Sequence, residues 1–159
     1  LLLNGSNPIP KPRVAIIVHP NNSFTKHKNT PMATQVNPGI KVSVKSSYEK
    51  NYSNPAFHHF FYSYKITIEN TNDFAVQLLR RHWFIFDSNG YKHEVEGEGV
   101  IGETPILEPG ESFTYESGCN LRTSIGSMHG YYSFIRLVDN SPFQVEIPKF
   151  MLVLPEIMN

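Results

Sequence analysis

The chain has little of what marks a secreted, membrane-bound or polyanion-binding protein. Its one cysteine, Cys119, has no partner for an internal disulfide, which fits a reducing compartment. Long apolar runs are missing. Leu1-Leu2-Leu3 meets Asn4-Gly5 at once, and Val14-Ala15-Ile16-Ile17-Val18 stops after five residues. Neither reaches a signal-peptide core or a bilayer span, so the expected partners include no membrane. Net charge is zero. No window longer than a turn favours a helix, and no nucleophile elbow, P-loop or zinc-protease pattern occurs.

The charge that is present lies unevenly. Residues 1–31 carry Lys11, Arg13, Lys26 and Lys28 without one acid, leaving residues 32–159 four charges negative. An acidic domain repels nucleic acid, so direct binding to it is not expected. Prolines 8, 10, 12, 20 and 31 break any periodicity in the basic stretch. Residues 1–31 therefore read as a vector-derived or misassigned extension, with Met32 as the natural start. A genuine flexible arm is the rival reading. Residues 32–38 form a short polar lead-in, 39–153 a patterned domain and 154–159 a tail.

From Ile40 onward the period is two, and 40% hydrophobic residues suffice for a core. Ile40, Val42 and Val44 share one face. So do Phe60, Tyr62, Tyr64, Ile66 and Ile68 of the next run. In the third run, Val76, Leu78, Arg80, His82, Phe84 and Phe86 fall on one side. Leu79, Arg81, Trp83 and Ile85 fall on the other. Asp87-Ser88-Asn89-Gly90 is a hairpin signal into Tyr91, His93 and Val95. Phe113 and Tyr115 mark a short strand, with Ser117–Asn120 and Ser124–Ser127 as connections. Tyr131–Val138 suits a central strand, and Phe143, Val145 and Ile147 follow the Asp139–Pro142 turn. About seven short strands with regular turns indicate an all-β, antiparallel, immunoglobulin-like β-sandwich.

The stretch that demands explanation is Glu96-Gly97-Glu98-Gly99-Val100-Ile101-Gly102-Glu103. Gly97, Gly99 and Gly102 spell G-x-G-x-x-G, which in dinucleotide-binding proteins cradles a pyrophosphate at a helix start. Here Thr104, Pro105 and the Glu108-Pro109-Gly110-Glu111 turn follow instead of a helix, so no helix dipole awaits an anion. Glu94, Glu96, Glu98 and Glu103 add repulsion that only a bridging divalent cation or nearby arginines could offset. A structural glycine turn is the leading reading. The functional reading makes Gly97, Glu98, Gly99 and Gly102, with Arg80 and Arg81, a ligand site. Adjacent strand residues point oppositely, so Arg80 and Arg81 serve different faces, each expected to pair with a nearby acid.

For metals, His82 and His93 flank the hairpin and could join Asp87 or a glutamate, but their spacing matches no dedicated motif. His58 and His59 sit at the mouth of the preceding strand. Trp83, the sole tryptophan, is expected in the core, and Cys119 as an inert small hydrophobe.

Several of these runs together resemble the ApaG family. They are Arg81-His82-Trp83, Asp87–Gly90, Glu94–Gly102 and Pro105–Cys119. Leu121, Thr123, Gly126, Met128 and Gly130-Tyr131-Tyr132-Ser133-Phe134 continue the match, so that it covers about residues 38–152. The resemblance implies a fibronectin type III or immunoglobulin-like sandwich and a stand-alone cytoplasmic protein in bacteria. It carries a genetic link to cobalt and magnesium tolerance and to a diadenosine-polyphosphate hydrolase encoded nearby. In eukaryotes the same domain is appended to an F-box protein and to a polymerase-interacting protein. It brings no settled catalytic activity. The expectation is a non-enzymatic module without a required cofactor, binding another protein. The alternative is divalent-cation-dependent binding of a nucleotide polyphosphate at Gly97–Gly102.

Overall fold

Alternation in the sequence becomes strand. In the computed structural model, which describes residues 32–37 and 39–157, nine strands form. They are β1 (Met32–Asn37), β2 (Ile40–Tyr48), β3 (Phe60–Asn70), β4 (Val76–Asp87), β5 (Lys92–Glu98), β6 (Ile106–Leu107), β7 (Ser112–Leu121), β8 (Ile125–Arg136) and β9 (Pro142–Val153). One sheet runs β1-β2-β3-β7 and the other β5-β4-β8-β9, with the short β6 pairing β4 beyond β5. Every strand pairing is antiparallel.

The two sheets pack as a sandwich because each offers one apolar face. Ile40, Val42, Val44, Tyr64, Ile66 and Ile68 from the first sheet meet Trp83, Ile85, Met128, Phe134, Val145 and Leu152 from the second. Trp83 is 3% exposed, its indole against Tyr64 and edge-on to Phe150, as expected for a core tryptophan. Two buried polar links join the layers. Tyr115 and Tyr132 share a 2.5 Å hydroxyl contact, and Asn70 Nδ2 donates to the carbonyls of Phe74 and Leu107. Asn70 Oδ1 accepts from Asn72, so this fully buried amide is satisfied at both ends.

Several expectations are corrected. The described residues form nine strands rather than about seven, and the lead-in 32–38 contains β1, whose Met32–Asn37 pairs with Ile40–Lys45. Ser117–Asn120 continues β7, and β8 begins at Ile125 inside the expected connection. The glycines that suggested loops there serve close packing. A Cβ on Gly118 would overlap the Phe61 ring, and one on Gly126 would overlap the Phe86 carbonyl. In β4 the alternation breaks at Leu79, where the register with β8 slips by one residue. This bulge puts Val76 and Leu78 on the same buried face as Trp83 and Ile85, not beside His82 and Phe84. The reading of residues 1–31 lies outside the described residues. The tail holds a single turn of 3-10 helix at Pro155–Ile157.

Candidate functional site

The glycine stretch leaves β5 and returns as β6 along the same flank of β4, so it must detour around the Leu79 bulge. Gly99 N–H donates to the Leu79 carbonyl at 2.7 Å. Val100 and Glu103 then close a two-residue turn through reciprocal bonds of 2.8 and 2.9 Å. Its inner residues, Ile101 (φ 44°) and Gly102 (φ 79°), are both left-handed, as a type I′ turn requires. Gly99 has φ 57°, and a Cβ there would overlap the Glu103 carbonyl oxygen. Gly97 makes room for Arg81, whose guanidinium would lie 3.1 Å from an added Cβ.

Arg81 holds this loop. Its Nη1 donates to the carbonyls of Glu98 (2.9 Å) and Gly99 (2.8 Å), while Arg80 turns outward to Glu96 at 2.9 Å. The expectation that each arginine pairs with an acid therefore holds for Arg80. Arg81 takes carbonyls instead. It also stands over the buried phenols of Tyr64 and Tyr115, which burial raises well above the ordinary tyrosine range. The space enclosed by Arg81, Tyr64, Trp83 and Ser117 is about 20 Å³, room for one water. A phosphate cradle needs N–H groups aimed at an anion. Here the N–H groups of Gly99, Val100 and Glu103 bond within the protein, and the loop offers carbonyls to a cation. Gly97, Glu98 and Gly99 come together around Arg81 rather than around an open site, and Gly102 sits in the adjoining turn with open space beside it. Arg80 points away from them.

The two histidines suggested as metal candidates are held on opposite faces of one sheet. His82 projects outward with Glu94, and His93 lies opposite Ile85 on the inner side. One ion cannot reach both. Among the described residues no group of three or more His, Cys, Asp or Glu is placed to hold a metal. Both ring nitrogens of His93 are buried without a hydrogen-bond partner, and burial lowers its pKa below the ordinary imidazole value. Asp87 is no ligand either. Its carboxylate accepts from Arg122 N–H (2.7 Å) and from the Thr123 hydroxyl, fastening the turn between β7 and β8.

A different surface gathers side chains that the sequence reading had not grouped. The bulge at Leu79 places Arg80, His82, Phe84 and Phe86 on the outer face of the five-stranded sheet. Register brings Lys92, Glu94 and Glu96 of β5 to one side and Ser127, His129 and Tyr131 of β8 to the other. The Phe84 ring stacks between His82 (4.6 Å, 22°) and His129 (5.1 Å, 20°). His82 is fixed by two bonds, one between Nε2 and Glu94 (2.9 Å) and one between Nδ1 and the Tyr131 hydroxyl (3.0 Å). Lys92 lies 5.8 Å from the Phe86 ring centre. Phe84, Phe86, Lys92, Ser127, His129 and Lys149 line an open groove of about 650 Å³. Phe86 is 38% exposed, and Met151, opposite Ser127, is 51% exposed. The signal was present in the sequence as parity across the Asp87–Gly90 hairpin, which sets Lys92 opposite Phe86.

The outer face of the other sheet is unlike it. There Lys41 meets Glu69 at 3.8 Å, Lys65 meets Glu116 at 3.7 Å, and Thr67 bonds Thr114 at 3.0 Å. These pairs join strands across most of that surface, while Lys45 stands opposite Lys65 and next to Met32, which is 65% exposed.

These features define an immunoglobulin/fibronectin type III-like antiparallel sandwich with one mainly polar face and one aromatic face. The model of the ApaG domain matches residues 50–136. Protein ApaG of Azoarcus sp. strain BH72 is 44% identical over 120 residues, covering 76% of this chain and 94% of that relative. Protein ApaG of Methylococcus capsulatus is 45% identical over 116 residues, covering 73% and 91%. The crystal structure of an ApaA protein from Bordetella pertussis superposes with a TM-score of 0.71 at 40% identity, covering 73% of this chain and 94% of that one. The chain belongs to the ApaG family. No helix among the described residues is long and apolar enough to cross a membrane.

Proposed function

We propose that this chain is a non-catalytic protein-binding domain, acting in the cytoplasm, whose contact surface is the outer face of the β5-β4-β8-β9 sheet. One observation carries the reading: two outer faces of one sandwich have been finished differently. Among the described residues, the first pairs Lys41, Lys65 and Thr67 across strands and exposes one apolar side chain, Met32, on its edge strand, with no ring stack. The second exposes Phe86 and Met151 beside a stack of rings. Aromatic side chains on a rigid sheet lose little entropy on binding and are the residues that dominate protein interfaces. The appended use of ApaG domains in larger eukaryotic proteins, which the resemblance implies, fits a binding role. The family's cobalt and magnesium phenotype then follows through the partner rather than through a bound ion.

The nucleotide polyphosphate reading draws no support from the loop at Gly97–Gly102, where the N–H groups of Gly99 and Val100 are bonded within the protein and the carbonyls of Glu98 and Gly99 face Arg81. The test of the protein-binding reading is quantitative affinity capture with the wild type, with Phe86→Ser/His129→Ala, and with Thr67→Ala on the opposite face. The expected result is a recurring partner lost only from the double variant. Equal recovery by all three proteins would refute the assignment of the face.

A further inference from the structure

Resting on that reading, we infer that the groove takes an extended acidic segment of a partner protein, with an aromatic side chain laid on the Phe84–His129 stack and carboxylates on Lys92 and Lys149. The argument is one of charge against background. Residues 32–159 carry four net negative charges, yet the groove is flanked by two lysines, Lys92 on β5 and Lys149 on β9. Neither has an ion-pair partner among the described residues. The cation beside them on the same face is neutralised, Arg80 by Glu96 at 2.9 Å. Glu94, the one acid lining the groove, is held by His82 at 2.9 Å. The groove's lining therefore sets two lysines against the single carboxylate of Glu94, a net positive strip on an acidic domain that repels acidic segments elsewhere and steers them here.

Spacing supports the same occupant. Lys92 and Lys149 lie on the two outermost strands of the sheet, three strand separations apart, or roughly 14 Å. That span is about four residues of extended chain. A carboxylate can thus meet each lysine only if the segment crosses the strands, which lays its middle over Phe84, Phe86 and His129. Ser127, small and level with the floor between Phe86 and Met151, leaves the depth for a ring. The Phe84–His129 ladder presents the face against which such a ring stacks. His129 makes no hydrogen bond within the described protein and is exposed, so its ring nitrogens can bond to the segment's backbone.

The test uses the chain with a labelled pentapeptide of one phenylalanine flanked on each side by two aspartates, followed by fluorescence polarisation and amide shifts. Saturable binding at or below about 1 mM is expected, with shifts confined to Phe84, Phe86, Lys92, Ser127, His129 and Lys149. Replacing the aspartates by lysines, or the phenylalanine by alanine, abolishes it. Lys92→Glu with Lys149→Glu weakens it at least tenfold, whereas Lys41→Glu on the opposite face leaves it unchanged. Both lysines of the double variant are solvent-facing, so folding is kept and is verified by an unchanged amide spectrum outside the groove. Equal binding of the lysine peptide, shifts elsewhere, or no saturation would overturn the inference. Shifts in the groove on adding AMP, without peptide binding, would also overturn it and assign the site to small aromatic anions. If the peptide fails while partner capture still depends on Phe86 and His129, the face binds protein by another chemistry. If both fail, the functional reading falls as well.

Discussion

Replacing Gly99 by alanine separates a structural glycine from one kept for a ligand. At φ 57° an alanine meets its own backbone, a penalty of about 1–2 kcal/mol. The new Cβ also overlaps the Glu103 carbonyl oxygen, which belongs to the backbone and cannot swing away as a side chain would. Relief requires the turn to open, and two bonds lie in its path, Gly99 N–H to Leu79 and Val100 N–H to Glu103. Losing one of them costs about 1 kcal/mol net. Arg81, which grips the carbonyls of Glu98 and Gly99, loses geometry in the same movement, adding about another 1 kcal/mol. The sum is about 3–4 kcal/mol. For a domain of this size that lowers Tm by roughly 10–15 °C. Gly102→Ala is the control. It has φ 79° but no atom within 4 Å of the added Cβ, so backbone strain alone applies, about 1–2 kcal/mol. Urea unfolding of both variants reads the difference, about 2 kcal/mol, as a shift in midpoint at unchanged slope. If the two variants unfold together, or Gly99→Ala is near wild type, the account of the loop is wrong.

Three further outcomes follow from the same geometry. Cys119 is fully buried and its thiol is pushed up to about 12, first by burial and then by Asp87, so thiol reagents at pH 8 label it only as fast as the domain unfolds. Labelling at the rate of a free thiol would contradict this. His93, with its lowered pKa, keeps its proton off in the fold while the unfolded chain takes one up. Stability therefore falls as pH drops below the ordinary imidazole value and levels off below the folded one; His93→Phe should flatten that slope, and an unchanged slope would exclude His93 as its source. ATP with magnesium or cobalt should leave the amides of Gly97–Gly102 unshifted. Saturable, cation-dependent shifts there would establish the phosphate site that the loop's bonding argues against.

Sequence reading recovered most of the sandwich because its core strands alternate without interruption, as in Ile40-Val42-Val44 and Phe60 through Ile68. It failed where one residue or one atom decides. The Leu79 bulge inverts the parity of β4, and nothing in Leu78-Leu79-Arg80 announces it; the bond that accompanies it comes from the Gly99 N–H, twenty residues later in the chain. Gly118 and Gly126 resembled loop residues because glycine marks both turns and close approaches, and only the neighbours Phe61, Phe86 and Leu121 show which applies. β1 was hidden because Met32–Asn37 is a polar edge strand with little apolar alternation. The glycine motif was read correctly as lacking its helix, but the partner that explains it, Arg81, had been expected to seek an acid. The aromatic face was the largest omission. His82, Phe84 and Phe86 had been aligned with Val76 and Leu78, which disguised a contact surface as part of the core.

The most direct measurement places a photo-crosslinking amino acid at position 84, at position 98 in the glycine loop, or at position 67 on the opposite sheet, and compares the products formed in native extract. The account predicts a discrete, recurrent adduct from position 84 alone, competed away by unlabelled wild-type protein. Adducts from position 98 without any from position 84 would move binding to the glycine loop and contradict the assignment of the aromatic face.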